Sequence, residues 1–467
     1  MNSLLAEIGA IVGPAGILTG ADVSARPDTC PPMGPCQAKA IVRPASTAEV
    51  SAVLKLCHAR NQTVVTHGGL TGLVNGARTS REDIVISLER MRKLDPVDVV
   101  NRTLTAEAGV PLQALHEAAE KADLLFPLDL GARGSCTIGG NISTNAGGNS
   151  VIRYGMVRAQ VLGIEAVLAD GTIISSMNTV IKNNTGYDLK QLFIGSEGTL
   201  GIITRTVLRL WPLPRSRQTA LVAVHDFERV GRFLRVMDMA LGGTLSAYEV
   251  LWNDFYALIV GHNSKHGLPL SVAHPYYVLL EATGSHENID RDRFERALEE
   301  ALEHELIIDA VVAQSRQQRE DLWAIRDDIE SLFAALHPLI TFDISLSITH
   351  MNDYVTAVRE NLCIQWPHYR MVVFGHVGDG NIHLVLTVGS LEADVVHAVD
   401  EVVYGALKPY QGVISAEHGI GLSKREYLSI SRSEEEIKLM QTLKAALDPK
   451  GILNPGKIFP LPNGDNT

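Results

Sequence analysis

Three segments dense in glycine lie between residues 67 and 201, and they limit the backbone paths open to the first half of this chain. They span residues 67–72, residues 128–131 continuing through 139–148, and residues 194–201. Glycine lets the backbone approach a ligand closely and turn its N–H groups toward phosphate oxygens. Ser135, Thr144, Asn145 and Thr199 add short polar side chains. One such segment alone reads as a turn. Three together, interleaved with small polar residues, favour a large phosphorylated cofactor. The common nucleotide motifs fail here. Gly378-Asp-Gly380 and Gly419-Ile-Gly421 lack the third glycine of a dinucleotide fingerprint, and Gly451-Ile-Leu-Asn-Pro-Gly456-Lys457 is followed by Ile458 where a P-loop needs a hydroxyl. Pro455 has no N–H to offer a phosphate. A kinase or ATPase is excluded.

A second cluster carries different chemistry. Around His376-Val-Gly-Asp-Gly-Asn-Ile-His383, one apolar run enters at 371–374 and another leaves at 382–386, which reads as strand, tight turn, strand. Residues seven apart on a single strand would face opposite sides of a sheet. The Gly-Asp-Gly-Asn turn folds the chain back and can set both imidazoles side by side. Ser415-Ala-Glu417-His418-Gly419 follows. His376, His383 and Glu417 make a ligand set suited to zinc or a similar divalent metal with a position open for substrate. His418, next to that carboxylate, can act as general base. The alternative is a pair of buried, hydrogen-bonded histidines beside a glycine turn.

At 467 residues the chain exceeds one core and should form two or three structural units. Its net charge of -12 argues against a nucleic-acid surface. The five cysteines, at 30, 36, 57, 136 and 363, form no Cys-x-x-Cys pair, and their odd number suggests reduced thiols in a reducing compartment. Cys30-Pro-Pro-Met-Gly-Pro-Cys36 reads as a surface bend with two free thiols. The first twenty residues carry Glu7, are interrupted by Gly9, Gly13, Pro14 and Gly16, and lack a basic start; no apolar run approaches a membrane span. A soluble, untargeted, cytoplasmic chain with no transmembrane segment is expected.

Ser46-Thr-Ala-Glu49 forms a capping box for a helix running to about Arg60, and a strand follows at 63–66. A helix opening at Pro111 sets Leu112, Leu115 and Ala119 on one face; residues 161–168 and 172–175 form a hairpin about Asp170-Gly171; a strand at 202–210 stops at Trp211-Pro-Leu-Pro214. After Pro214, strands at 220–224, 245–250, 277–282, 307–312 and 340–346 alternate with helices near 227–240 and 291–303 and one carrying Trp323-Ala-Ile-Arg326. The helix near 291–303 puts Phe294, Ala297, Leu298, Ala301 and Leu302 on one stripe. The fold class is α+β, with a boundary near residue 215 and a second half made of layered sheet with helices on one face.

Together these motifs resemble one family closely, the FAD-dependent D-2-hydroxyacid dehydrogenases, which include D-lactate and D-2-hydroxyglutarate dehydrogenases and share the fold of the vanillyl-alcohol oxidase (PCMH-type) flavoproteins. The resemblance runs from about Ala38 to Phe459 and rests on Pro127-Leu-Asp-Leu-Gly-Ala132, residues 139–148, Gly195-Ser-Glu-Gly-Thr-Leu-Gly201 and Asn454-Pro-Gly-Lys457, in that order. It implies an N-terminal arm over 1–36 and a PCMH-type FAD-binding domain of two α+β subdomains over 37–214. A substrate-binding cap with antiparallel sheet, helices and the metal site follows over 215–410, and a helical segment over 411–467 returns to the flavin. Around the FAD pyrophosphate it implies Gly68, Gly69, Thr71 and Gly72, with Gly139, Gly140, Asn141, Thr144, Asn145, Gly147 and Gly148. Along the rest of the cofactor it implies Pro127, Asp129, Glu197, Thr199, Gly201, Ile203 and Asn454, with Ser135 a further donor. The family's metal ligands fall on His376, His383 and Glu417, its base on His418, and its carboxylate-binding arginine on Arg326. The metal is expected to be zinc, with manganese or iron as alternatives. Covalent-flavin relatives carry a histidine directly after the first glycine pair. Leu70 stands there, so the FAD is expected to be non-covalent.

The resemblance also implies a reaction. The C2 hydride of a small D-2-hydroxy acid passes to flavin N5, the metal holds the 2-hydroxyl, His418 takes its proton and Arg326 fixes a carboxylate. Electrons leave to an external acceptor such as an electron-transfer flavoprotein, a cytochrome or a quinone, and a homodimer is an admissible assembly. Rival readings are a D-2-hydroxyglutarate or D-malate dehydrogenase, an oxygen-using oxidase, and a non-catalytic flavin- or metal-binding protein. The hydroxyglutarate branch carries a threonine, a lysine and an asparagine where this chain has Glu330, Thr341 and Val385. A distal carboxylate loses a cation and two polar donors there and meets an added anion at Glu330, so D-2-hydroxyglutarate is expected to be poor relative to D-lactate or a longer apolar D-2-hydroxy monoacid.

Overall fold

The computed structural model describes residues 3–30, 34–261 and 265–461. They divide into two compact units: a first of residues up to 147, 156–213 and from 417 onward, and a second of 148–155 and 214–416. The expected break near 215 falls at 213/214, and the chain re-enters the first unit at Glu417 rather than at 411.

The first unit holds two four-stranded sheets. Helix α1 (Ser3–Val12) and strands β1 (Ile17–Thr19) and β2 (Ala40–Val42) lead into helix α2 (Thr47–Ala59), then β3 (Val64–His67) and β4 (Ile84–Ser87). The sheet order is β1-β2-β4-β3, parallel except for β1. Residues expected to form a separate arm belong to this unit, because β1 pairs with β2 and α1 buries Leu4, Ile8 and Val12 against Val50, Leu54 and Cys57 of α2. Those three residues recur every four positions, which is one stripe of a helix. Ser46 Oγ caps α2 by accepting from Glu49 N at 3.2 Å. The Glu49 carboxylate accepts from Ala45 N, one residue further back than the expected capping box requires. Near the C-terminus, residues 452–454 return alongside β3: Val64 N donates to Ile452 O and Asn454 N to Val64 O, both at 2.8 Å.

The second sheet of this unit is antiparallel. It is built from β5 (Thr103–Glu107), β6 (Val161–Val167), β7 (Ile173–Ser176) and β8 (Ile202–Arg209), in the order β5-β8-β6-β7. Helices α3 (Leu112–Glu120) and α4 (Ile138–Ser143) pack on it through Leu112, Leu115, Ala119, Ile138 and Ile142. The hairpin about Asp170-Gly171 forms as expected. On the Cys30–Cys36 bend, Pro31, Pro32 and Met33 lie outside the described residues. Both flanking thiols are free, but Cys36 is buried against Thr79 rather than on the surface.

The second unit is one seven-stranded antiparallel sheet. In chain order it contains β9 (Ser216–Val224), α5 (Phe227–Leu241), β10 (Leu245–Trp252), α6 (Asn253–Val260), β11 (Tyr276–Gly284), α7 (Glu287–Glu303), β12 (Asp309–Val312), α8 (Arg316–Arg326), α9 (Ile329–Leu336), β13 (Ile340–Ser345), α10 (Ile348–Gln365), β14 (Arg370–Gly375), β15 (Asn381–Thr387) and α11 (Ala393–Gly405). The strand order is β12-β9-β11-β10-β14-β15-β13. Helices cover both faces, not one. Helices α6, α8 and α9 pack on Leu251, Leu279, Val372, Phe374 and Val385, while Tyr248, facing the other way from β10, donates its hydroxyl to Val230 O of α5 at 2.7 Å. The reason is legible in the strands: β10 and β11 bury nearly every residue, and a strand apolar on both faces needs cover on both. The apolar stripe of α7 ends at Ala301, since Leu302 is 48% exposed.

The packing of α2 gives a stability prediction. Leu54→Ala, which opens a cavity in a fully buried site, should cost about 2–5 kcal/mol in chemical denaturation. Ser46→Ala, which removes only the cap, should cost about 1 kcal/mol. Equal losses would show that α2 is not held mainly through its buried face.

Candidate active site

In the first unit, β3 ends at His67 and the chain enters the first glycine loop. His67 is buried with Nε2 2.8 Å from Ala77 O, and burial pushes its imidazole down to about 4. It is neutral at ordinary pH and pins the far end of the loop. At Gly69 any Cβ would run into the Ser135 carbonyl and the Cys136 backbone, so this approach admits only glycine. Leu70 next to it adopts φ +55°.

These loops enclose a cleft of about 360 Å³. Of the residues implied at FAD, Gly68, Gly69, Thr71, Gly72, Gly139, Gly140, Asn141, Thr144, Gly147, Glu197, Gly201, Ile203 and Asn454 line it, as do Glu417 and His418. Pro127, Asp129, Ser135, Asn145, Gly148 and Thr199 do not. Asp129 pairs with Arg133 at 3.0 Å, Asn145 Oδ1 accepts from Arg158 N at 3.2 Å, and Thr199 donates to Ser196 O at 2.7 Å. Ser135 faces Gly69 through its carbonyl, and Gly148 belongs to the second unit.

Two lining residues escaped the sequence reading. Thr66 and Thr137 carry buried hydroxyls with no hydrogen-bond partner among the described residues. A buried polar atom left unpaired is costly, so these two suit a ligand rich in oxygen and nitrogen. The signal was available: each is a threonine standing within two residues of a glycine pair. The cleft therefore fits a polar, phosphorylated cofactor.

Glu197 and Asn454 line the cleft with much of their polarity already used. Glu197 has φ +52°, and its carboxylate accepts from Ile420 N at 2.7 Å and Gly421 N at 2.8 Å. Burial pushes its carboxyl up against the pull of those two bonds. Asn454 donates to Glu197 O at 2.5 Å and accepts from Thr66 N at 2.9 Å. The turn bearing Glu417 and His418 is thus tied to the floor of the cleft. Gly147 makes room for the Glu417 carboxylate, which a Cβ at that position would strike.

The second unit gathers the histidines. The β14–β15 hairpin pairs Phe374 with His383, and the turn sets the His376 and His383 rings 5.3 Å apart at 86°. His376 Nδ1 lies 2.5 Å from Glu249 Oε1; a carboxylate only accepts, so Nδ1 carries the proton and Nε2 the lone pair. Glu249 Oε2 accepts from Arg326 Nε at 2.9 Å, and Arg326 Nη2 stands 3.3 Å from His376 Nε2. Burial alone would raise the Glu249 carboxyl, but His376 and Arg326 hold it at about 2, so it is ionised. His383 Nδ1 is 3.7 Å from Asp343 Oδ1, which accepts from Asn381 Nδ2 at 2.8 Å. Glu249 thus stands hydrogen-bonded behind His376, an arrangement that orients a histidine toward a divalent metal, while Asp343 lies near His383 beyond hydrogen-bond length. Glu249 and Asp343 were not singled out from sequence. The signal was a lone acid inside each of two strongly apolar strands.

Residues 38–176 match the FAD binding domain family, and residues 213–458 match the C-terminal domain of FAD linked oxidases. A D-2-hydroxyglutarate dehydrogenase of Danio rerio is 40% identical over 420 residues, covering 90% of this chain and 78% of that protein. One from Xanthomonas citri pv. viticola is 40% identical over 425 residues, covering 90% and 89%. Among solved structures, p-cresol methylhydroxylase with substrate bound aligns with a TM-score of 0.77 at 15% identity, over 99% of this chain and 98% of that one, and so shares the fold. The cytoplasmic expectation is overturned by the relatives, since those from Danio rerio, Rattus norvegicus and Bos taurus are named as mitochondrial. Composition and cysteine count carry no address. No helix among the described residues is long and apolar enough to cross a membrane.

The purified protein should be yellow and release its FAD into the supernatant on acid denaturation. Gly69→Ala should lose most of the flavin while keeping its far-ultraviolet circular dichroism. Flavin retained in the acid precipitate would contradict the non-covalent assignment, and full flavin content in Gly69→Ala would contradict the cleft.

Proposed function

The chain belongs to the family of FAD-linked D-2-hydroxyacid dehydrogenases, and from that premise we propose that it oxidises a D-2-hydroxy monoacid to the 2-oxo acid with the help of a divalent metal. The observation that carries this reading is the cleft of the first unit, where Glu417 and His418 stand among the glycine loops. When bound, the flavin supplies a hydride acceptor for C2, and the metal, zinc first with manganese or iron as alternatives, supplies a Lewis acid for the 2-hydroxyl. His376 and His383 are the proposed nitrogen ligands, and Glu417 is the proposed oxygen ligand on the sequence pattern. His418 takes the 2-hydroxyl proton. Arg326, oriented by Glu249, holds the substrate carboxylate through its forked donors. The electrons taken from the substrate would leave to an external acceptor: an electron-transfer flavoprotein, a cytochrome or a quinone.

Support for a monoacid comes from the sheet face that carries His383. Thr341 pairs with Val385 and Asp343 with His383, so all four side chains rise from the same face. Thr341 is exposed on the edge strand, so the support rests on Val385, which is buried among apolar neighbours. Glu330 is exposed at the start of α9, where water screens its charge, and it no longer counts against a diacid. A second reading, D-2-hydroxyglutarate as substrate, is favoured by the names of the relatives.

Two measurements test this. His376→Ala, His383→Ala or Glu417→Ala, or removal of metal by chelation, should reduce turnover at least a hundredfold with flavin content unchanged; His418→Ala should keep the metal and lose flavin reduction. Full activity in metal-free protein would overturn the metal assignment. Steady-state kcat/KM should be higher for D-lactate or D-2-hydroxybutyrate than for D-malate or D-2-hydroxyglutarate. A clear preference for either diacid would overturn the monoacid reading.

A further inference from the structure

We propose that Glu249 is a positioning residue shared by the two binding functions of the second unit, setting His376 for the metal and Arg326 for the substrate carboxylate at once. The inference rests on the metal reading above and concerns a residue that the family motifs did not single out.

The geometry is specific. Glu249 lies in the middle of β10, fully buried, on the face of the sheet that α8 covers. Its two oxygens are divided between two partners: Oε1 holds His376 Nδ1 at 2.5 Å and Oε2 holds Arg326 Nε at 2.9 Å. The first bond puts the proton on Nδ1 and leaves the lone pair on Nε2, the atom a metal would take, which faces Arg326 Nη2 at 3.3 Å in this structure. The second fixes the rotation of the guanidinium about its own plane, which decides where its paired N–H groups aim. One carboxylate therefore sets the relative orientation of a ligand on β14 and a cation on α8. Glutamine cannot do this. Its amide has one acceptor oxygen and one donor nitrogen, so either one N–H partner faces another N–H, or His376 moves its proton to Nε2 and loses the lone pair there. Aspartate keeps the charge but is one methylene shorter and cannot reach both partners at these distances.

Glu281 provides a control on the same face. Its carboxylate accepts from Trp323 Nε1 at 3.1 Å and Thr219 Oγ1 at 3.0 Å, so it holds α8 by a residue one turn before Arg326. It supports the helix without orienting either group.

The test uses flavin-loaded, metal-stripped protein titrated with zinc against a chromophoric chelator, together with KM for the best D-2-hydroxy acid. Glu249→Gln should weaken zinc binding by roughly tenfold to a hundredfold, the range expected for a carboxylate behind a metal histidine. It should also raise KM at least tenfold, with flavin content unchanged. Glu281→Gln should leave zinc affinity unchanged. Glu249→Gln with wild-type zinc affinity and KM, or with only one of the two altered, overturns the shared role, as does an equal loss of zinc affinity in Glu281→Gln. If Glu249→Gln fails to fold, Glu249→Asp carries the test, and wild-type values of both quantities in that variant overturn the proposal. Wild-type protein that takes up no zinc overturns the metal reading and this inference with it; wild-type uptake with an unaffected Glu249→Gln overturns this inference alone.

Discussion

A buried carboxylate with no water to solvate it is the constraint on which the second unit is organised. Removing a charge such as Glu249 from water costs several kcal/mol, and the structure offsets that only because Arg326 and His376 converge on it from a helix and a neighbouring strand. Breaking such a cluster by removing one partner typically costs about 3–5 kcal/mol, so the three groups hold one another in place. The sheet makes the convergence possible. Antiparallel strands put Glu249, Phe374, His383 and Val385 on one face at fixed spacing, and the guanidinium of Arg326 lies 5.4 Å from the Phe374 ring centroid. A shift of one residue in the β14 register would turn the histidine hairpin to the other face.

The first unit obeys a different logic. Its cleft is made of backbone held at close range, with polar atoms left over. Leu70, Glu197 and Asn454 line it with positive φ, a conformation that costs energy in residues with side chains and persists where surrounding structure enforces it. The returning segment at 452–454 supplies that enforcement by bonding to β3, while Asn454 ties Thr66 to Glu197. Glu197 in turn holds the turn that follows His418. The cleft and the turn that bears Glu417 and His418 are therefore one hydrogen-bonded assembly, although their residues lie more than two hundred positions apart in sequence.

Much of this was legible from residues with strong local rules. The histidine hairpin could be read because Gly-Asp-Gly-Asn permits only a tight reversal between two apolar runs, and α2 because Ser46 and the Val50, Val53, Leu54, Cys57 stripe agree. The glycine segments announced a close-approach cleft for the same reason. What was missed depends on tertiary context. Glu249 in a strand reads as an outward-facing residue until the arginine that neutralises it and the histidine that bonds to it are known. The second layer of helices was hidden because alternation along the chain does not say which face a helix covers. Glu330 looked like a pocket anion because a sequence offset cannot tell whether a side chain on the first turn of a helix points inward or into water. Cellular address is carried by none of these features.

Anaerobic mixing of the flavin-loaded, metal-replete protein with matched D and L enantiomers of 2-hydroxy acids, followed by flavin absorbance, tests the account most directly. Rapid bleaching of the oxidised flavin by a D-2-hydroxy monoacid, little by its L enantiomer, and stoichiometric 2-oxo acid product are expected. A flavin that stays oxidised with every D-2-hydroxy acid offered, while the protein is folded and carries both FAD and metal, would contradict it.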